Sequence, residues 1–241
     1  MEKTNQTSEF VSHEPCPQCG SKDNLARYTD GHGWCFGCGY YEGVPNLTEV
    51  QGMEFVKGEC IPLKKRSINQ DTVDHWGYQV GDYKGKKVQI ANYRNDQGTI
   101  VAQKIRFPNK DFLFIGDSKS SGLYGKHLWR DGGKMVVITE GELDALSVSQ
   151  VQGNKWPVVS VPTGSAGARK AIAQDLEWLE QFDSVVFMFD QDEAGRKALD
   201  ECVPLFTPGK AKIAKLPLKD ANACLVDGRH SEIIDAIWGA K

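Results

Sequence analysis

Met135-Val136-Val137-Ile138-Thr139-Glu140-Gly141-Glu142-Leu143-Asp144 is a short apolar run that ends on a carboxylate and passes straight into a helical pattern. Such a run predicts a strand covered on both faces. Leu143 to Val151 reads as the following helix. The same grammar returns downstream. Val158 to Val161 leads through the Gly/Ser-rich turn Pro162 to Gly167 into a helix reaching about Gln181. Val185 to Phe189 leads into a helix from Glu193 to about Val203, and Ala211 to Leu216 is a fourth run. Apolar runs alternating with helices predict βα units, hence an α/β fold with a mostly parallel sheet flanked by helices. A last amphipathic helix is predicted from about Ser231 to Trp238.

In a parallel sheet all the carboxyl ends lie along one edge, where ligands bind. Glu140 closes the first strand, and Asp144 lies on the first turn of the next helix. Asp190 and Asp192 close the third strand; two residues apart, they share a face. Glu140, Asp144, Asp190 and Asp192 should therefore converge. Four carboxylates repel one another unless a divalent ion neutralises them. Oxygen-only ligands with open positions favour magnesium or manganese, and two such ions could hold a triphosphate and activate a hydroxyl. Either pair alone has a plain structural reading, as helix-dipole partners or an N-cap cluster. Both pairs at equivalent strand ends favour the metal site.

Upstream of residue 134 the pattern changes. Lys87 to Tyr93 alternates in strand fashion, Asn95-Asp96-Gln97-Gly98 reads as a turn, and Thr99 to Ile105 is the return strand of a hairpin. A small α+β subdomain is expected over residues 67–133, with the sheet and its helices over 134–241. Residues 44–66 contain two prolines and the run Lys64-Lys65-Arg66 with little periodicity, which predicts a linker ending in a basic patch.

Residues 1–43 hold four of the seven cysteines, Cys16, Cys19, Cys35 and Cys38, as two C-x-x-C pairs separated by fifteen residues. Two such knuckles place four soft ligands around one ion, the pattern of a zinc ribbon. An iron–sulfur cluster and a redox pair are the alternatives; Gly20 and Gly39 favour the compact zinc knuckle. The segment between the knuckles fits a hairpin with its turn at Asp30-Gly31-His32-Gly33. Asp30, His32 and Trp34 would then sit near the tip, where a carboxylate, an imidazole and an indole can bond to and stack on unpaired bases.

The net charge of −3 conceals an uneven distribution. Residues 1–50 carry 3 Lys/Arg against 7 Asp/Glu, residues 51–133 carry 14 against 9, and residues 134–241 carry 12 against 16. A basic middle suits a polyanion track, and the acidic end suits metal chemistry. The acidic ribbon should bind DNA weakly by itself and contribute selectivity. No run approaches the roughly 18 apolar residues of a membrane span, and the N-terminus lacks the layout of a signal peptide. A cytoplasmic protein is expected, with no membrane partner.

The motifs E-G-x-x-D and D-x-D-x-x-G on these strands resemble the TOPRIM fold of bacterial-type primases, topoisomerases and some nucleases. The four-cysteine ribbon before them narrows the resemblance to primases. Leu123 to Trp129, Val137 to Glu142, Met188 to Asp190, Asp192 to Ala198 and Lys219 to Asn222 are similar to the bifunctional primase–helicases of short-tailed bacteriophages, from about Cys16 to Trp238. The resemblance implies a DNA primase that makes short RNA primers from ribonucleoside triphosphates on a single-stranded DNA template. It implies magnesium ligands at Glu140, Asp190 and Asp192, with Asp144 in support and Asp220 as a further acidic member. It also implies template or nucleotide contacts at Lys104, Arg106 and Lys110. Lys104 and Arg106, two apart on a predicted strand, should share the face toward the cleft. Implied partners are a replicative helicase and the replicative DNA polymerase that receives the primer, in the host cytoplasm.

The family continues into a RecA-type helicase, and no G-x-x-x-x-G-K-[ST] occurs here. The chain is expected to be either a primase half or a naturally shorter product. The alternative is a recombination mediator similar to RecR, with a zinc site before TOPRIM and no polymerase activity. It would place a helix-hairpin-helix ahead of the cysteines, where only fifteen mainly polar residues stand. A TOPRIM nuclease or topoisomerase is the third reading, and the chain has no room for a DNA-gate domain.

Overall fold

The computed structural model describes residues 10–28, 33–38, 40–42, 54–117 and 122–241. The chain forms two compact units, Met1–Met53 and Glu54–Lys241.

In the first unit, β1 (Phe10–Glu14), β2 (Leu25–Tyr28), β3 (Gly33–Cys35) and β4 (Tyr41–Glu42) form an antiparallel sheet in chain order. Its interior is Cys16, Leu25 and Cys35 with Tyr40 packed alongside. So small an apolar core cannot hold thirty residues together without a staple. The expected turn residues Asp30 and His32 lie outside the described residues, as do residues 44–53 of the expected linker.

The second unit opens with a five-stranded antiparallel sheet: β5 (Gly58–Glu59), β6 (Gln79–Tyr83), β7 (Lys86–Arg94), β8 (Ile100–Arg106) and β9 (Phe112–Gly116), with α1 (Gln70–Trp76) between the first two strands. The β7–β8 turn is the expected one. The Asn95 side chain accepts from the N–H groups of Gln97 and Thr99, at 3.1 and 2.9 Å. The linker expected over 44–66 is corrected here, because its later part belongs to the sheet. Residues 58–59 pair with β6. The buried amide of Gln103 clamps Val56 through both backbone groups, at 2.7 and 3.0 Å, and bonds Asn92 at 2.8 Å. Proline and charge at the surface hid a segment that is tied down by polar side chains elsewhere in the sequence.

The remainder is built from β10 (Gly133–Thr139), α2 (Glu142–Val151), β11 (Val158–Ser160), α3 (Ala168–Gln174), α4 (Leu176–Leu179), β12 (Phe182–Met188), α5 (Glu193–Cys202), β13 (Ala211–Ile213), α6 (Ala221–Val226) and α7 (His230–Trp238). The four strands are parallel in the order β11-β10-β12-β13. Period-two alternation sorts their side chains. Val137, Val186 and Met188 pack with α2, α6, α7 and Tyr93 of the antiparallel sheet. Val136, Ile138, Val185 and Phe187 pack with α3, α4 and α5 on the other face. Truncating the fully buried Phe187 to Ala would cost about 3–5 kcal/mol. The helix expected to run to Gln181 is broken at Asp175, whose carboxylate turns away to accept from Leu123 N–H at 2.7 Å and Lys126 at 2.9 Å.

Candidate active site and metal centre

The strand order reverses between β10 and β12: β10's successor lies on one side and β12 on the other. This switch point opens a crevice at the carboxyl ends of the two strands. Glu140 and Asp190 stand there, Glu140 immediately past β10 and Asp190 two residues past Met188, the end of β12. Asp144 comes from the first turn of α2, and Asp220 from the start of α6. All four line one cleft of about 370 Å³, together with Arg66, Lys104, Arg106, Lys110 and Lys219. The basic face of the antiparallel sheet thus looks across the cleft at the carboxylates.

Backbone N–H groups fix Glu140, Asp144, Asp192 and Asp220, while the Asp190 carboxylate is met by the Lys219 ammonium. Glu140 Oε1 accepts from Ser165 N–H at 3.3 Å in the glycine-rich turn. Asp144 Oδ1 accepts from Asn222 N–H at 3.0 Å. Asp192 caps α5 through Gly195 N–H at 3.0 Å, and Asp220 caps α6 through Ala223 N–H at 2.7 Å. The capping reading therefore holds for one oxygen of each of these last two. Gly195 is required by space, because a Cβ there would lie 2.2 Å from Asp190 O. Asp192 is outside the lining and stands beside Asp190, their carboxylates sharing Lys219 at 3.2 Å (Asp190) and 3.6 Å (Asp192).

Negative charge is crowded here. Burial, then the charge of Asp220, pushes the Asp144 carboxyl up to about 7. Burial and the charge of Glu140 push Asp190 up to about 6, against the pull of Lys219. The backbone bond from Gly195 holds Asp192 below the ordinary carboxylate range. Glu140 Oε2 is buried with no hydrogen-bond partner. A buried unpartnered carboxylate oxygen beside two carboxylates short of compensation suits a hard divalent cation. The oxygens do not close into a cage. Among the described residues, only the four cysteines bring three or more ligand atoms together. An open set of one or two carboxylates is the arrangement magnesium uses when substrate phosphates complete its shell.

Lys104 and Arg106 both line the cleft, on alternate positions of β8 as expected. Lys104 is nonetheless committed to protein. Its ammonium donates to Glu142 Oε1 at 2.8 Å and Pro162 O at 2.7 Å, and it sits over the Phe112 ring at 4.8 Å. Glu142 also accepts from the Tyr93 hydroxyl at 2.5 Å. Glu142, Lys219, Asn222 and Arg66 were missed as site residues. Arg66 and Asn222 bond each other twice, both at 3.0 Å, 156 positions apart in sequence. Spacing carries no signal for such pairs. The Lys64-Lys65-Arg66 run did flag a cation there, and Lys219 stands beside Asp220 in a quoted motif.

In the ribbon the four cysteine sulfurs lie within 4.8 Å of one another, with Cys16–Cys38 and Cys19–Cys35 both at 3.7 Å. Disulfide sulfurs sit at about 2.05 Å, whereas a tetrahedral ion with bonds of about 2.3 Å sets sulfurs about 3.8 Å apart. The cluster fits a metal. Ser21, 3.4 Å from the Cys19 sulfur, helps pull that thiol down, while the neighbouring cysteines help push the Cys38 thiol up, as expected of thiols crowded together. Trp34 lies on β3 between the knuckles with an exposed side chain.

Two family descriptions match the chain. Residues 58–116 match the bacteriophage T7 DNA helicase/primase N-terminal α+β fold, and residues 137–225 match a Toprim-like domain. The primase fragment of the bacteriophage T7 primase–helicase superposes with a TM-score of 0.72 at 37% identity, covering 95% of this chain and 100% of that one. The chain belongs to the phage helicase/primase family. Primase domains solved with the bacteriophage T7 lagging-strand DNA polymerase and an RNA/DNA hybrid give a TM-score of 0.73 at 43% identity, over 77% of this chain and 94% of that one. The DNA helicase/primase of Enterobacteria phage T3 is 38% identical over 97% of this chain. The chain spans 44% of that relative's length. These likenesses are to primases and do not favour the RecR-like alternative. As a family member the chain has the expected TOPRIM sheet, the antiparallel subdomain before it and the cysteine cluster at the N-terminal end. No helix among the described residues is long and apolar enough to cross a membrane.

Proposed function

We propose that the chain is the primase part of a phage replication protein, joining ribonucleoside triphosphates into short primers on single-stranded DNA. The observation that carries this reading is one cleft in which a basic sheet face opposes carboxylates at a switch point. Glu140 and Asp190 would hold magnesium or manganese, with Asp144, Asp192 and Asp220 in support. Such an ion, when bound, neutralises triphosphate charge and lowers the pKa of the attacking hydroxyl.

The protein's own part is positioning. Ser165 N–H orients Glu140. Arg106 and Lys110, with Arg66, bind template or nucleotide phosphates. Lys104 would act chiefly by holding Glu142 and the 162–167 turn in place. Zinc would occupy the four thiolates, and Asp30, His32 and Trp34 would read the template. A helicase, carried by the remaining length seen in the relative or supplied separately, and the DNA polymerase that takes the primer complete the partners, in the host cytoplasm.

The test incubates the protein with ribonucleotides, magnesium and single-stranded DNA. Oligoribonucleotide product is expected. Cleaved DNA without RNA product would point to a TOPRIM nuclease, and neither product would overturn the reading.

A further inference from the structure

A second cavity lies away from the carboxylates. About 770 Å³ in volume, it is lined at the amino-terminal ends of β10 and β11 by Gly133, Met135 and Pro157, and by the last turn of α7. β10 separates it from the carboxylate cleft by the length of a seven-residue strand, roughly 20 Å.

Its lining has a definite chemistry. Trp129, Trp156 and Trp238 all face it. Trp129 is pinned by donating Nε1–H to Val158 O at 2.7 Å, whereas Trp156 and Trp238 are 59% and 62% exposed. The charged lining residues are Arg130, Lys134 and Lys155, with no Asp or Glu. None of the three cations is in an ion pair among the described residues. Lys134 Nζ sits 5.4 Å from the Trp238 ring. His75 Nε2 and Gln152 Oε1 are buried, without hydrogen-bond partners, in side chains that line the same cavity. Exposed indoles offer stacking faces to any base, cations without carboxylates attract phosphate, and spare polar atoms can meet base edges. A purely apolar partner would use the indoles and strand the cations. An acidic peptide would use the cations and leave the indole faces idle.

We infer that this cavity is a second nucleotide-binding site, which takes a nucleobase together with its phosphate, either as a free nucleotide or as a unit of a single strand. It differs from the catalytic cleft in one testable respect. With no carboxylates to neutralise, it binds without a divalent ion.

The experiment titrates the 241-residue chain with ATP and, separately, with a dT decamer, in buffer free of magnesium and of chelator so that the ribbon is undisturbed. Tryptophan fluorescence and competition against a labelled decamer report binding. Trp156→Ala/Trp238→Ala should weaken one or both ligands at least tenfold. Loss for ATP alone marks a mononucleotide site, and loss for the decamer marks a strand site. Lys134→Gln/Lys155→Gln should weaken binding of that same ligand. For the decamer it should also lower the log–log salt slope by about 0.7 per cation removed. These lysines are exposed, so the pair keeps the test alive should the tryptophan variant fold poorly. Wild-type affinity for both ligands in both variants would overturn the proposal.

Discussion

Asp144 is the residue on which the chemistry of the cleft turns most sharply. Its carboxyl is pushed up to about 7 and that of Asp190 to about 6, in each case by burial first and neighbouring carboxylates second. Unfolding returns both to about 3.9. The sign follows from linkage. A carboxyl with a raised folded-state pKa stabilises the fold below pH 4, and that stability is lost as pH rises through 6 to 7. The metal-free protein should therefore melt at progressively lower temperature between pH 4 and 7.5. Magnesium should restore part of the loss at the upper end, because it pairs the ionised carboxylates. Asp144→Asn keeps an acceptor for Asn222 N–H and should flatten the decline while reducing primer synthesis. Melting curves across this range, with and without magnesium, check it; an undiminished decline in the variant would mean that the cluster does not strain the fold. Asp190→Ala should abolish nucleotide joining and, in the metal-free protein at neutral pH, raise the melting temperature, because it removes one charge from the repulsive cluster. Asp192→Ala should likewise abolish joining but destabilise by about 1 kcal/mol, since Asp192 caps α5. Near-normal synthesis by either alanine variant in saturating magnesium would refute the metal assignment.

At the scale of elements, β8 carries two lysine-like positions with different duties. Lys104 is 12% exposed and pairs with Glu142, itself 7% exposed, whereas Arg106 faces the cleft and makes no ion pair among the described residues. Removing one member of a buried pair strands the other, at about 3–5 kcal/mol. Lys104→Met should therefore lower stability by that order and disturb the 162–167 turn. Arg106→Ala should leave melting unchanged, raise the nucleotide or template concentration required, and weaken the salt dependence of binding. Paired melting and kinetic measurements at low and high ionic strength decide it; equal melting of both variants would mean that the Lys104–Glu142 pair is not structural. Alternation told that Lys104 and Arg106 share a face, because strand periodicity is local. It could not tell which of them meets Glu142, because that depends on how one sheet packs on another. The same limit divides legible from illegible elsewhere. Val136 to Ile138 and Val185 to Phe187 are buried on both faces and announced their strands. β6 and β9 have mixed exposure and passed unread. Asp190 and Asp192 showed themselves by spacing, while Asn222 stood in a stretch of family resemblance and its reach to Arg66 and Ser147 left no trace in spacing.

Across the whole molecule, the two units are held together by different physics. Glu54–Lys241 contains its own apolar cores, and Met1–Met53 has two of its four metal-type cysteines as most of its interior. Removing the metal, or making Cys16→Ser, should unfold the first unit and leave the main melting transition of the second in place. Division of labour follows from the same asymmetry. The second unit holds the carboxylates and the basic face, which phosphodiester formation requires. Starting a chain is harder, because two separate nucleotides must be held against a template that supplies few contacts. A tethered reader raises the effective concentration of the right template at the cleft. A chain beginning at Glu54 should therefore still join ribonucleotides slowly and lose template-specific initiation. Substituting Asp30, His32 or Trp34 should alter template choice while the metal content stays at one ion per chain. The measurement is primer synthesis on matched and scrambled templates, with and without residues 1–53, alongside a zinc assay of the point variants. Full sequence-specific synthesis by the shortened chain would reduce the ribbon to a structural appendage and place template reading in the cleft itself.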